Sequence, residues 1–286
     1  MDAKLILGTV QFGMPYGINN TVGQPSMEDA FKILNRAHEA GIHTLDTAKA
    51  YGNAMQVIGD YHRQSPNRFA IINKFHTTSL LSDAVVKEEL DLLSISSYEA
   101  YLFHAYSDYE TSTTQVWNEL VRLKEKGLVN QIGVSVYTNQ QLASVIEDPR
   151  VDLVQVPYNL LDNAFQRAQL FAEANAKGKC IHTRSAYLQG LFFKDPSKLP
   201  ARLQALQPYL NDIHRIANKY RTSVSQLALQ YVLREKLIRN VLIGVDSMLQ
   251  LETNISDSQH QLPDACFAEI DAIQVSEVNL LNPANW

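Results

Sequence analysis

Asp46, Tyr51, Lys74 and His104 are a carboxylate, a phenol, an amine and an imidazole, each at or just past the end of a short apolar run. "DTAKAYGN" (46–53) follows "GIHTL" (41–45), and "INKF" (72–75) and "LFHA" (102–105) end in the same manner. Together these groups could move a proton to a carbonyl oxygen. A tyrosine has a reference pKa near 10 and is a poor acid at pH 7. An ammonium within about 4–6 Å favours the phenolate and makes the phenol a better donor. Lys74 could supply that charge, and Asp46 could hold the ammonium in place and offset its burial. His104 could donate to the carbonyl oxygen and orient it. General acid catalysis of this kind is worth roughly 10²–10⁴ in rate. A bound nicotinamide would supply the hydride that such a set lacks. Singly, each residue has an ordinary explanation: Asp46 caps a helix, Tyr51 fills a loop, Lys74 snorkels at the surface, His104 sits satisfied in a core. Their recurrence at the ends of successive runs is what gives the set weight.

The elements that position them alternate. Eight apolar runs read as strands: 4–10, 42–47, 69–75, 99–105, 131–137, 151–158, 179–186 and 240–245. Between them lie helix-like segments. "SMEDAFKILNRAHEAG" places Ala30, Ile33, Leu34 and Ala37 at helical spacing behind a Ser26 cap and ahead of Gly41. Further helices start at Ser82, run from a threonine cap to Gly127, end on Gly178, and include "SVSQLALQYVLRE" and "DSMLQLETNIS". Two helices fill the long gap before the last strand. Repeated strand–helix units mean a parallel sheet, and eight of them predict a (β/α)₈ barrel, an α/β TIM-type fold, as one domain over residues 1–286. In such barrels the chemistry lies at the carboxyl ends of the strands. Those ends carry Thr9 and Gln11, Asp46 with Tyr51, Lys74, His104, Ser135, Gln155 with Asn159, and Arg184 with Ser185. The tail "VSEVNLLNPANW" is expected to be irregular and to lie across a barrel face.

Composition narrows the function classes. The chain has 286 residues, 45% hydrophobic and 19% charged, which is globular and not disordered. A net charge of −5 with no basic stripe argues against nucleic acid. Cys180 and Cys266 stand far apart, so neither a disulfide framework nor a zinc site is expected, and a reducing cytoplasm is. "MDAKLILGTV" does not read as a signal peptide, and no run of about 18 apolar residues predicts a membrane span.

With these residues in hand, the sequence resembles the aldo-keto reductase superfamily. "LDTAKAYGN" is similar to its Asp-Thr-Ala-x-x-Tyr-Gly motif, and "INKF" and "LFHAY" to the segments with its lysine and histidine. The likeness continues through "LGTVQFG", "IGVSVY", "VQVPYNLLD", "RSAYLQGLF" and "LIGVDSMLQLETN". It implies an NAD(P)H-dependent carbonyl reductase on a (β/α)₈ barrel, with Tyr51 as proton donor beside Asp46, Lys74 and His104. It also implies cofactor contacts from Thr9, Val10 and Asp46, from Ser135 and Gln155 to the carboxamide, and from Arg184 stacking where better-known members carry a tyrosine. Ser185, Leu188, Gly190, Gly244, Asp246, Gln250 and Asn254 complete the implied cofactor set. Val136 stands where many relatives have Asn. Many NADP-using relatives place Lys or Arg just after the last strand; here stand Asp246, Ser247 and Gln250. The resemblance favours NADP(H), with Lys198 or Arg202 as substitute cations, and NAD(H) is the alternative. No metal is implied.

The expected substrate is a small-molecule carbonyl, aldehyde or ketone, with a keto sugar or aldose favoured. "LGTVQFGMPYGINN" resembles a branch associated with bacterial carbohydrate functions. Loop aromatics Tyr16, Tyr106, Tyr109, Tyr158, Tyr187, Phe192 and Phe193 suit a sugar-like ring or, equally, loop packing. Two rival readings stay open: a Schiff-base aldolase using Lys74, and a non-catalytic cofactor-binding subunit.

Overall fold

The computed structural model describes residues 4–18, 20, 23–78 and 81–286. Residues 1–3, on which the N-terminal reading partly rests, and Asn19 of "LGTVQFGMPYGINN" lie outside the described residues. Eight strands form in chain order: β1 (Leu5–Gly8), β2 (Thr44–Asp46), β3 (Ala70–Phe75), β4 (Tyr98–Phe103), β5 (Val129–Ser135), β6 (Leu153–Pro157), β7 (Cys180–Arg184) and β8 (Asn240–Gly244). They pair in parallel, each with the next, and β8 returns to β1 to close a barrel. The expected (β/α)₈ architecture is present, each strand falling within two residues of its predicted run.

The helices are α1 (Val10–Gly13), α2 (Met27–Glu39), α3 (Ala54–Gln64), α4 (Asp83–Leu93), α5 (Tyr106–Glu110), α6 (Thr114–Glu125), α7 (Asn139–Ile146), α8 (Ala164–Ala176), α9 (Gln207–Lys219), α10 (Val224–Leu233), α11 (Met248–Gln259) and α12 (Asp264–Asp271). Several start where a hydroxyl can take up an orphan N–H: Ser26, Ser82, Thr113, Thr138, Ser223 and Ser247 each accept a backbone N–H at their helix start. A cap of this kind contributes about 1 kcal/mol. The predicted face of α2 is the buried one, with Ala30, Ile33, Leu34 and Ala37 against the barrel wall. The gap before β8 holds α9 and α10 as expected, preceded by short 3₁₀ turns.

Pleating decides what faces the lumen, because successive side chains alternate sides. Ile6, Ile72, Ala100, Leu102 and Leu153 pack together as the inner core, with Cys180 and Leu242 against them. Two residues further along several of these strands come Gly8, Lys74, His104, Gln155 and Leu242's successor Gly244. The same alternation that builds an apolar plug therefore delivers polar residues to the carboxyl-end mouth. No residue of the tail after Ala272 lines the cavity at that mouth. The tail is tied to α9 by Tyr209, whose hydroxyl donates to Glu277 (2.9 Å) and accepts from Ser276 N–H (3.2 Å). Among the described residues no helix is long and apolar enough to cross a membrane.

Candidate active site

A cavity of about 600 Å³ opens at the carboxyl ends of the strands. Asp46, Tyr51, Lys74 and His104 all line it. Lys74 is 3% exposed and ion-paired to Asp46, itself 1% exposed. The Lys74 ammonium also donates to the Thr47 carbonyl (3.2 Å) and reaches the Tyr51 hydroxyl at 3.4 Å. Burial works against the charge on Lys74, but the Asp46 carboxylate, then Tyr51, outweigh it and hold the pKa of Lys74 above its ordinary value. Asp46 is fixed in turn: Gln155 Nε2 donates to its other oxygen at 2.8 Å, and the Thr9 hydroxyl and N–H donate to its carbonyl at 3.0 Å. The ring of His104 meets Tyr51 edge-on, centroids 5.8 Å apart at 89°. Burial, followed by Lys74 and His76, pushes the His104 pKa down to about 4. At neutral pH His104 is thus an uncharged imidazole that can donate one hydrogen bond.

Tyr51 is held in reach of Lys74 by backbone contact. A Cβ on Gly13 in α1 would lie 1.7 Å from the Tyr51 carbonyl oxygen, and one on Gly52 would lie 2.2 Å from the Gly13 oxygen. Gly52 also has φ +53°, a region open mainly to glycine. Both glycines let α1 press against the loop that carries the phenol. Gly13→Ala is expected to push that loop outward by more than 1 Å and to lower kcat by about 10²-fold, since catalysis tolerates little misplacement. Steady-state kinetics checks this, with a thermal melt alongside; a kcat equal to the parent's would show that the contact does not position Tyr51.

The other predicted positions divide. Apart from the two substitute cations, every residue proposed for the cofactor lines the cavity except Leu188, whose side chain is fully buried in the core. Asn159, collected at the end of β6, also turns away; its Oδ1 accepts from the N–H groups of Leu161 and Asp162, so it shapes the loop. Arg184 makes no ion pair among the described residues. Its guanidinium lies 3.9 Å over the ring of Tyr137 and donates to Val136 O (3.1 Å) and Ser135 Oγ (3.4 Å). Lys198 and Arg202 do not line the cavity, and Lys198 pairs with Asp195 at 3.4 Å on the surface. Of the loop aromatics, Tyr16, Tyr187 and Phe193 line it. Tyr106 and Tyr109 pack on each other, Tyr109 also against Phe103 and Trp117, and Tyr158 and Phe192 are core.

Sequence reasoning missed Tyr137, which follows Ser135 by two and so shares its inward face. It missed His182, two residues before Arg184 on β7, which lies 5% exposed inside the barrel and whose burial lowers its pKa to about 4. It also missed Gln189, whose amide donates to the Tyr16 hydroxyl at 2.7 Å and so joins the loops after β7 and β1 over the mouth. That loop bends sharply, with Leu188 and Gln189 at φ 46° and 53°. Among the described residues no cluster of three or more His, Cys, Asp or Glu side chains could hold a metal ion.

Two buried atoms on the cavity wall bear on a dinucleotide. Gln155 Oε1 and Asp246 Oδ1 have no hydrogen-bond partner among the described residues. Both are acceptors, and buried acceptors left unpaired are costly. A carboxamide N–H and a ribose hydroxyl are donors that would complete them, so the residues present fit a nicotinamide dinucleotide.

Comparison with known proteins agrees with this fold. The model of the Aldo/keto reductase family matches residues 4–275. The chain is 22% identical to the NADH-specific methylglyoxal reductase of Escherichia coli K12 over 269 residues, 80% of this chain and 82% of that protein. It is 22% identical to the D-threo-aldose 1-dehydrogenase of a Pseudomonas species over 298 residues, 88% of this chain and 90% of that one. A match to an aldo-keto reductase of Mycolicibacterium vanbaalenii, 30% identical over 159 residues, takes in 51% of this chain and 56% of that relative's length. The barrel also superposes on an aldo-keto reductase of Bacillus halodurans, holo form, with a TM-score of 0.75 at 19% identity, covering 95% of this chain and 92% of that one.

Proposed function

Because the chain belongs to the aldo/keto reductase family, whose members are oxidoreductases that reduce carbonyls, we propose that residues 1–286 act as one domain that reduces an aldehyde or ketone with Tyr51 as proton donor. One observation carries this reading: a buried ammonium, fixed by Asp46, lies 3.4 Å from the Tyr51 hydroxyl at the floor of the cavity. When bound, a reduced nicotinamide supplies the hydride. The residues of this chain do the rest. Neutral His104 donates to the carbonyl oxygen and turns it toward Tyr51. Tyr51 gives that oxygen its proton as charge develops there. Lys74 stabilises the phenolate that remains, in a site dry enough for the charge to act strongly. Thr9 and Gln155 keep Asp46 in place, and Ser135 and Gln155 would hold the carboxamide.

The lining near β8 supports NAD(H) and departs from the expected lean to NADP(H). The cavity's cations are Lys74 and Arg184, and both are engaged elsewhere. Asp246 presents a buried acceptor there, and Gln250 Oε1 accepts from the Asp246 N–H at 3.0 Å. A carboxylate accepts from a 2′-hydroxyl and repels a 2′-phosphate. Two like charges 4 Å apart repel by about 1–4 kcal/mol, depending on screening. NADH is therefore expected to bind at least about 5-fold tighter than NADPH, each 1.4 kcal/mol being tenfold. Fluorescence titration of both checks this, and tighter binding of NADPH would refute the role of Asp246.

For the substrate, the mixture of Tyr16, Tyr137 and Phe193 with Gln11 and Gln189 on the lining supports a polyhydroxylated carbonyl such as an aldose or keto sugar, as does similarity to a protein named for aldose oxidation. A panel of aldoses, keto sugars, short dicarbonyls and aromatic aldehydes tests the class. Turnover confined to simple aromatic aldehydes would count against it.

A further inference from the structure

His104 carries the orienting role in the reading above, yet no hydrogen bond from the described residues fixes its ring. Its Nδ1 is buried and has no partner among the described residues. An imidazole usually has its rotation and tautomer set by the bond made at its other nitrogen. Here that device is missing, and ring contacts replace it. Tyr51 meets His104 by an edge. His76 lies flat against it, centroids 4.4 Å apart and planes within 11°.

His76 is itself held. Its Nδ1 is 2.8 Å from Asp108 Oδ2. Asp108 is 7% exposed and also accepts from Thr77 N–H and Oγ–H, each at 3.0 Å, and from Ala105 N–H at 3.2 Å. One carboxylate thus ties the loop after β3 to the start of α5 and holds His76 against the far face of His104. His76 does not line the large cavity. It lines a separate one of about 210 Å³ beside Lys49 and Glu89. It can reach the substrate only through His104.

We infer that His76, clamped by Asp108, is the positioning residue that aims the His104 imidazole at the substrate's carbonyl oxygen. The inference rests on the proposed reductase activity. Stacking of two flat rings explains how a histidine without a hydrogen bond at Nδ1 is kept from swinging. His76 is 43% exposed, so truncating it leaves a gap open to solvent and not a closed cavity.

The test compares His76→Ala, His76→Phe and His76→Leu. His76→Ala is expected to lower kcat roughly 10–100-fold, the scale of a loss of about 1 Å in alignment, with the NADH dissociation constant and the melting temperature close to the parent's. His76→Phe keeps a flat ring against His104 and is expected to restore most of kcat. His76→Leu keeps apolar bulk without a flat face and is expected not to. Parent-like kcat in His76→Ala, or equal losses in the Phe and Leu variants, would overturn the inference. The parent enzyme is assayed alongside: if it reduces no carbonyl, the reductase reading fails, and if it does while His76→Ala matches it, only the positioning role fails.

Discussion

Tyr51→Phe lowers kcat for carbonyl reduction by roughly 10²–10⁴-fold, the range for losing a positioned general acid, and leaves NADH binding nearly unchanged. The substitution removes one oxygen. The ring remains edge-on to His104, and the Gly13 and Gly52 contacts that set the loop involve backbone atoms. Lys74 keeps Asp46 and the Thr47 carbonyl as partners after the hydroxyl is gone, so the buried pair is not exposed or orphaned. What is lost is the proton at the place where charge appears on the substrate, and kcat and kcat/KM should fall together, as they do when an interaction belongs to the transition state. Steady-state kinetics across the carbonyl panel and a parallel NADH titration measure both halves. A variant that turns over at the parent rate would remove Tyr51 from the chemistry. A variant that no longer binds NADH would show that the hydroxyl serves the cofactor instead.

The barrel was legible because its strands are nearly continuous apolar runs bounded by polar residues, and because period-2 alternation then dictates which residues face inward. Lys74 and His104 could be placed at the mouth from this pattern without any coordinates. What stayed hidden depends on contacts between distant elements. Helix α3 follows Asn53, which makes no side-chain cap hydrogen bond. His76 and Asp108 are 32 residues apart and meet only because β3 and β4 are neighbours. Leu188 sits beside Gln189 and Gly190 in the chain, but across a run of positive φ its side chain is buried in the core while Gln189 and Gly190 line the cavity. Lys198 and Arg202 lay close enough in sequence to serve the cofactor, and the 3₁₀ turns of that loop carry them away from it.

Lys74→Met is expected to damage stability and activity together, for separable reasons. Asp46, 1% exposed, would keep the Gln155 amide at 2.8 Å and lose its cation. Leaving a buried charge unpaired costs roughly 3–5 kcal/mol, a large share of the 5–15 kcal/mol typical of a folded protein, so the melting temperature falls clearly. The rate falls because nothing then stabilises the phenolate that Tyr51 leaves behind. The double variant Asp46→Asn with Lys74→Met separates the two. It removes both charges and keeps a hydrogen-bonding group facing Gln155, so most of the stability returns, a coupling that a double-mutant cycle reads directly. The rate does not return, because an amide and a thioether supply no positive charge 3.4 Å from the hydroxyl. Recovery of kcat in the double variant would mean that Lys74 serves only to neutralise Asp46. The same pairing speaks against Lys74 as an amine nucleophile: a Schiff base needs the neutral amine, and Asp46 holds the group as its ammonium. Borohydride added with a carbonyl substrate should leave Lys74 unmodified; a trapped adduct at that residue would restore the aldolase reading.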